Sequence, residues 1–193
     1  RALREHVEWL TATYKTPIEL AVATGYFNPQ GFGLVADALD RLSGMRLLLG
    51  AEPTGPVPAR RRKLDEPRGQ RFQDEQFRKA LAAVDAGLRE ERDFLGLTEE
   101  TDATLRRLVA FLRSGRAEVR RYEGAFLHGK AFLFLGEDGV MAGSSNFTAG
   151  GLTSNLELNL GHYQPHVTSK VRSWFESLWN EAKPYDLAAL YEA

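Results

Sequence analysis

The segment Gly136-Glu137-Asp138-Gly139 lies between two apolar runs and constrains this chain more than any other feature. Gly and Asp tolerate the backbone conformations that a tight reversal needs. The flanking stretches, near 126–135 and 139–145, are therefore predicted to pair as an antiparallel hairpin. A chain holding such a hairpin must build a sheet around it. Upstream, the run 18–27 (IELAVATGYF) reads as a buried strand, Asn28 as a helix cap with Pro29 at the first helical position, and Gly44 as that helix's end. Residues 45–50 (MRLLLG) then form a second strand. A strand–helix–strand unit of this kind ordinarily gives a parallel pair with a right-handed crossover. The fold class expected is α/β, with a mixed, partly parallel β-sheet flanked by helices.

The remaining periodicity fills in around that sheet. Leu3, Val7 and Leu10 fall at helical spacing in residues 2–14, and Val167, Val171, Trp174, Phe175, Leu178 and Trp179 do so in 165–181. That second stripe reads as core. Further helices are expected over 71–94 and 99–114, with Gly115 ending the latter. Further strands are expected near 117–123 and 156–161, and a short linker helix from Asp186. Residues 53–70 hold four of the eight prolines and the basic run Arg60, Arg61, Arg62 and Lys63, followed by Arg68 and Arg71, and read as a loop. Residues 1–193 are read as one domain, with 71–114 a helical insertion and 184–193 a linker. A start at Arg1 without Met suggests a piece of a longer protein.

Composition removes several chemistries. With no cysteine there is no disulfide, thiolate metal site or cysteine nucleophile. No apolar run reaches the roughly 18 residues of a membrane span, and the first residues carry no charged-then-apolar leader, so a cytoplasmic protein is expected. The formal net charge of −1 gives no global basic field, so any nucleic-acid contact must come from a local surface such as Arg60–Lys63, with Arg120 and Arg121 a smaller cluster.

One constellation carries chemistry. His128 and Lys130 are two apart, as are Ser144 and Asn146, so each pair shares a strand face, and the hairpin sets the two strands side by side. Glu157, on the following strand, is expected to reach the imidazole. A histidine can serve as nucleophile or general acid near neutral pH. Lysine and asparagine supply donors where charge accumulates on phosphodiester oxygens. A carboxylate on the second ring nitrogen would fix the tautomer.

The stretch HGKAFLFLGEDGVMAGSSNFTAGGLTSNLEL, with its His-x-Lys, Gly-Ser-x-Asn and Asn-x-Glu, resembles the signature of the phospholipase D superfamily. The resemblance implies that family's half-unit fold and a phosphodiesterase that forms a phosphohistidine without a metal or other cofactor. It implies His128 as nucleophile or acid, Lys130, Ser144 and Asn146 as phosphate-binding groups, and Glu157 orienting His128. In this family the segment matching Tyr26 often lines the site, making Tyr26 a candidate substrate contact. Two positions depart from the pattern. Leu135 stands where the family has a structurally supporting Asp, and the spacing from His128 to Ser144 is one residue longer, which the turn can absorb. The other histidines read His6-Val-Glu, His162-Tyr-Gln and His166-Val-Thr, so only one His-x-Lys is present. A two-histidine mechanism then requires a homodimer with both copies of His128 facing across its axis. The wording GSSNFTAGGLTSNLELN resembles nuclease-like domains attached to bacterial helicases and restriction systems. This implies nucleic acid, DNA before RNA, as the partner and a helicase or restriction module elsewhere in the polypeptide. A reading from another class keeps the fold as an inactive nucleic-acid-docking module.

Other motifs fail on chemistry. Gly124-x-x-x-x-Gly129-Lys130 lacks the Ser or Thr of a phosphate-binding loop and continues as a strand. Phe147 occupies the last glycine position of a serine-hydrolase elbow. No His/Asp/Glu set has recognised metal spacing. His162 and His166 read as structural, and His6 as solvent-exposed on its helix.

Overall fold

The computed structural model describes residues 2–50, Ala82 and Ala86, 99–124 and 127–192. The Pro-rich basic segment, most of the 71–94 stretch and the Arg60–Lys63 run lie outside the described residues. Among the described residues, helices α1 (Ala2–Thr13), α2 (Pro29–Leu39), α3 (Glu99–Arg113), α4 (Ala149–Thr153), α5 (Pro165–Glu181) and α6 (Leu187–Glu192) surround a seven-stranded sheet. Its strands are β1 (Glu19–Thr24), β2 (Gly44–Leu49), β3 (Ala117–Arg121), β4 (Lys130–Leu135), β5 (Gly139–Gly143), β6 (Asn159–His162) and β7 (Lys183–Pro184), in the order β6-β5-β4-β1-β2-β3-β7.

Strands β1, β2 and β3 run parallel, while β4, β5, β6 and β7 each pair antiparallel with an inner neighbour. The sheet is thus mixed and partly parallel, as the sequence predicts. Alternation assigns the two faces. Leu20 and Val22 of β1 join Phe132, Phe134, Leu47 and Leu49 in a core shared with α1, α2, α3 and α6. Ala21 and Ala23 face the other way, with Leu48, Ala131 and Leu133, against Phe175 and Trp179 of α5. A strand covered on both faces reads as a continuous apolar run, which is what 18–27 shows.

Local signals place the ends. Asn28 caps α2 through its side-chain oxygen, which accepts from Gly31 N–H at 2.8 Å. After α2 the Arg116 guanidinium donates to the carbonyls of Leu39, Asp40 and Leu42, consuming acceptors that a helix end leaves open. Gly44 therefore opens β2 instead of ending the helix. In the β4–β5 turn Gly136 and Asp138 take positive φ, 117° and 49°, and Arg172 on α5 binds Asp138 at 2.9 Å. The closing helix α6 is not a free linker, because Leu187 and Tyr191 are buried in the main core and Arg113 of α3 pairs with Asp186 and Glu192.

Four side chains lie elsewhere than the sequence places them. His6 is half-buried, packed on Phe134 and Trp9 and bonded to the Tyr163 hydroxyl. Burial holds its pKa below the ordinary value. Trp174 of the α5 stripe is 37% exposed, whereas Phe175 and Trp179 are core. Arg120 and Arg121 are folded onto their own surroundings. Arg120 binds Glu118 and the Trp179 carbonyl and stacks on Trp179, and Arg121 binds Glu123 and stacks on Tyr185.

Candidate active site

The strand registers bring the expected residues to one end of the sheet. Ala23 lies opposite Ala131, Lys130 opposite Gly143, and Gly143 opposite Asn159. The end of β1, the start of β4, the end of β5 and the start of β6 therefore adjoin. Tyr26, His128, Lys130, Ser144, Asn146 and Glu157 all belong to these ends.

Lys130 is 5% exposed, yet its ammonium is satisfied. Its Nζ lies 2.9 Å from His128 Nδ1, 2.8 Å from Nε2 and 3.0 Å from the His128 carbonyl oxygen. An ammonium only donates, so the ring nitrogen it engages is the unprotonated one, and the tautomer decides which. A buried charge is tolerated only with such partners. His128 itself is exposed. The approach to it is fixed from below: a Cβ on Gly50 would stand 2.4 Å from the Leu127 carbonyl oxygen, so the residue that follows β2 must be glycine for the chain to pass. A Cβ on Gly129 would meet the Trp174 indole at 2.8 Å. Trp174 is thus packed beside the His-Gly-Lys segment, a neighbour that its helical spacing does not reveal.

Beyond β5 the chain crosses to the end of β1, where Phe147 bridges Phe27. Asn146 Oδ1 accepts from the Tyr26 N–H at 3.1 Å, which leaves Nδ2 as the donor toward the site. Thr24, fully buried, donates to the Tyr26 carbonyl at 2.7 Å and accepts from Phe147 N–H at 3.0 Å. Thr24 was not legible as a site residue, because a buried threonine at a strand end has no local signature. Ser145 and Asn159 were also missed. Ser145 is buried and its hydroxyl accepts from Asn159 Nδ2 at 2.7 Å, tying β5 to β6.

Glu157 departs from its expected role. Its carboxylate accepts from the Ser144 hydroxyl and, at 3.3 Å, from Asn155 Nδ2. Ser144 in turn accepts from Leu158 N–H at 3.0 Å. Glu157 precedes β6, and β5 lies between β6 and β4, so its hydrogen bonds go to the β5–β6 junction and not to the imidazole. Leu135 pairs with Glu19 at the opposite end of β4, away from Lys130 and His128. Among the described residues, no three His, Asp or Glu side chains group as a metal site would require. No helix among them is long and apolar enough to cross a membrane.

Comparison with known proteins agrees with this architecture. Residues 19–179 match the family described as cardiolipin synthase, PLD-like domain. Among solved structures, the chain is similar to Nuc, a phospholipase D family member from Salmonella typhimurium, at 16% identity and a TM-score of 0.50, covering 94% of this chain and 90% of that one. It is also similar to NucT from Helicobacter pylori (10% identity, TM-score 0.49, covering 95% and 91%). A third match is the phosphatidylserine synthase of Haemophilus influenzae Rd KW20 (12%, TM-score 0.46, covering 95% and 37%). At 16% identity the likeness to Nuc is one of fold. No curated protein sequence matches the chain. The family match spans β1 through α5 and includes each element that brings His128, Lys130, Ser144 and Asn146 together, so this chain belongs to the PLD-like domain family.

Proposed function

We infer that the chain is a phosphodiesterase that cleaves nucleic-acid phosphodiesters through a phosphohistidine on His128. The observation that carries this reading is the buried Lys130 ammonium held against an exposed imidazole, beside an Asn146 amide whose Oδ1 is already engaged. When substrate binds, the Lys130 ammonium turns its donors from the ring to the phosphate oxygens, and the unprotonated nitrogen of His128, so released, attacks phosphorus. The bond from phosphorus to the leaving oxygen breaks, and that oxygen takes a proton from a general acid. Lys130 and Asn146 Nδ2 donate to the non-bridging oxygens as their charge grows. Water then attacks the phosphohistidine and gives its proton to the general acid left deprotonated by the first step, the P–N bond breaks, and the imidazole of His128 is released. Protein groups and water carry each step, with the second imidazole of a dimer as the acid.

Nucleic acid is the substrate class on two counts. The run Arg60, Arg61, Arg62 and Lys63 provides local positive charge for a backbone of phosphates. Trp174, beside Gly129, and Tyr26, just after β1, are 37% and 38% exposed and offer aromatic surface on which bases stack. The docking-without-cleavage reading gains nothing from Leu135, because that side chain stands at the far end of β4.

The reading is tested with end-labelled single- and double-stranded DNA and RNA in excess EDTA, wild type against His128→Ala. Cleavage should survive chelation and fall by at least about 1,000-fold in the variant. Cleavage abolished by EDTA would remove the mechanism. Binding without cleavage by folded wild type would favour the docking module.

A further inference from the structure

Thr24 ends β1 fully buried, and a hydroxyl shut away from water has to find its partners inside the protein. It finds them on two segments that meet around Asn146. The hydroxyl donates to the Tyr26 carbonyl at 2.7 Å and accepts the Phe147 N–H at 3.0 Å. Tyr26 is the residue whose N–H engages Asn146 Oδ1 at 3.1 Å, and Phe147 is the residue that follows Asn146. One hydroxyl therefore holds both the donor that orients the Asn146 amide and the backbone that carries it. Asn146 Oδ1 itself lies 3.3 Å from the same hydroxyl oxygen, within reach of its single proton.

The neighbouring contacts hold the two segments together. Phe27 and Phe147 are buried and meet edge to face, 5.4 Å between ring centres. Asn28 N–H donates to the Phe147 carbonyl at 3.2 Å, and Asn28 Oδ1 accepts from Ala149 N–H at 3.1 Å. A Cβ on Gly25 would stand 3.4 Å from Asn146 Oδ1, so the amide lies close against the chain there. Packing alone does not call for a hydroxyl at position 24, because valine has the same outline and no polar group to bury. What valine cannot do is hold the Phe147 N–H and the Tyr26 carbonyl at once.

We propose that Thr24 is the positioning residue of Asn146, its hydroxyl fixing the direction in which Nδ2 points. Strand β1 lies beside β4, with Ala23 opposite Ala131, so movement at the end of β1 alters the placement of Asn146 relative to Lys130. Thr24, being fully buried, does not reach substrate itself. It acts through Asn146, whose donated bond strengthens as charge grows on the phosphate oxygens. The effect on rate rests on the phosphodiesterase reading above, whereas the orientation of the amide does not.

The test compares Thr24→Val with Thr24→Ser on labelled DNA in EDTA, with circular dichroism melting to fix the folded fraction. Thr24→Val keeps the shape and removes both bonds. It should lose about tenfold or more in kcat per folded molecule, with little change in KM. Thr24→Ser keeps the hydroxyl and should retain kcat within about threefold. A purely structural Thr24 would lower the melting temperature of Thr24→Val and leave the kcat of the folded protein unchanged, and that result overturns the proposal. Adding Thr24→Val to Asn146→Ala should cost no more than about twofold beyond Asn146→Ala alone, because the hydroxyl then has no amide to aim. Independent, multiplying losses would overturn it as well.

A second measurement needs no cleavage. The Asn146 side-chain NH2 pair in a ¹⁵N-edited NMR spectrum is identified by its absence from Asn146→Ala. It should keep its position in Thr24→Ser and move or broaden in Thr24→Val. An unmoved pair in Thr24→Val overturns the proposal whether or not the protein cleaves. Wild type that cuts no nucleic acid would remove the phosphodiesterase reading and leave the NMR pair to decide. Should Thr24→Val fail to fold, Thr24→Cys, with a thiol that is a weak donor and acceptor, takes its place in both measurements. Failure of both to fold would assign Thr24 to the fold alone and overturn the proposal.

Discussion

Asn146 uses the two ends of one amide differently. Its oxygen accepts the Tyr26 N–H, and the proposed mechanism assigns its nitrogen to the substrate phosphate. Asn146→Asp keeps the acceptor and replaces the donor with a second anionic oxygen. Cleavage should fall by about 100-fold or more, the usual cost of losing one such donor, while the melting temperature moves by less than about 3 °C. A large melting shift with little loss of rate would make Asn146 a structural residue. His6 makes a prediction of a different kind. Burial lowers its pKa below 6.5 in the folded protein. As pH falls from 6.5 toward that lowered value, the unfolded chain binds a proton that the folded chain refuses, so stability declines through this window. His6→Phe, which keeps the packing on Phe134 and Trp9, should flatten the fall in melting temperature between pH 7 and 5 relative to wild type. An unchanged slope would show that His6 does not carry it.

At the scale of elements, the end of β2 controls the approach to β4. Gly50 lies under the Leu127 carbonyl, one residue before His128. Gly50→Ala should cost about 1–3 kcal/mol by overpacking and reduce cleavage by more than tenfold, because the displaced backbone leads into His128. Equal rates in the two proteins would show that the segment yields without moving the imidazole. The helices and strands around this point were readable wherever their signal was local: the Asn28 cap, the Gly136–Gly139 turn and the apolar run of β1. Elements without a local signal were not. Helix α4 is a single turn containing two glycines, capped by Thr148, and β7 is two residues with a proline on the edge. Glu157 was misplaced for a related reason. Its spacing from His128 is visible in the sequence, but the intervention of β5 between them depends on long-range strand order.

For the molecule as a whole, the sequence carried the mixed α/β sheet and the gathering of His128, Lys130, Ser144 and Asn146, because two-residue alternation and one turn determine both. It did not carry Thr24, Ser145 and Asn159, whose roles depend on which strand ends meet, nor the exposure of Leu156, Leu158 and Leu160 before and in β6, which look from sequence like any half-buried strand. The central claim is that His128 becomes covalently attached to phosphorus. The most direct test is to mix the protein with substrate labelled with ³²P at the scissile phosphate, quench in alkali and map the labelled peptide. The account predicts acid-labile, alkali-stable label on the peptide containing His128, absent from His128→Ala. Cleavage proceeding at the wild-type rate with no label on the protein at any time during turnover would contradict it.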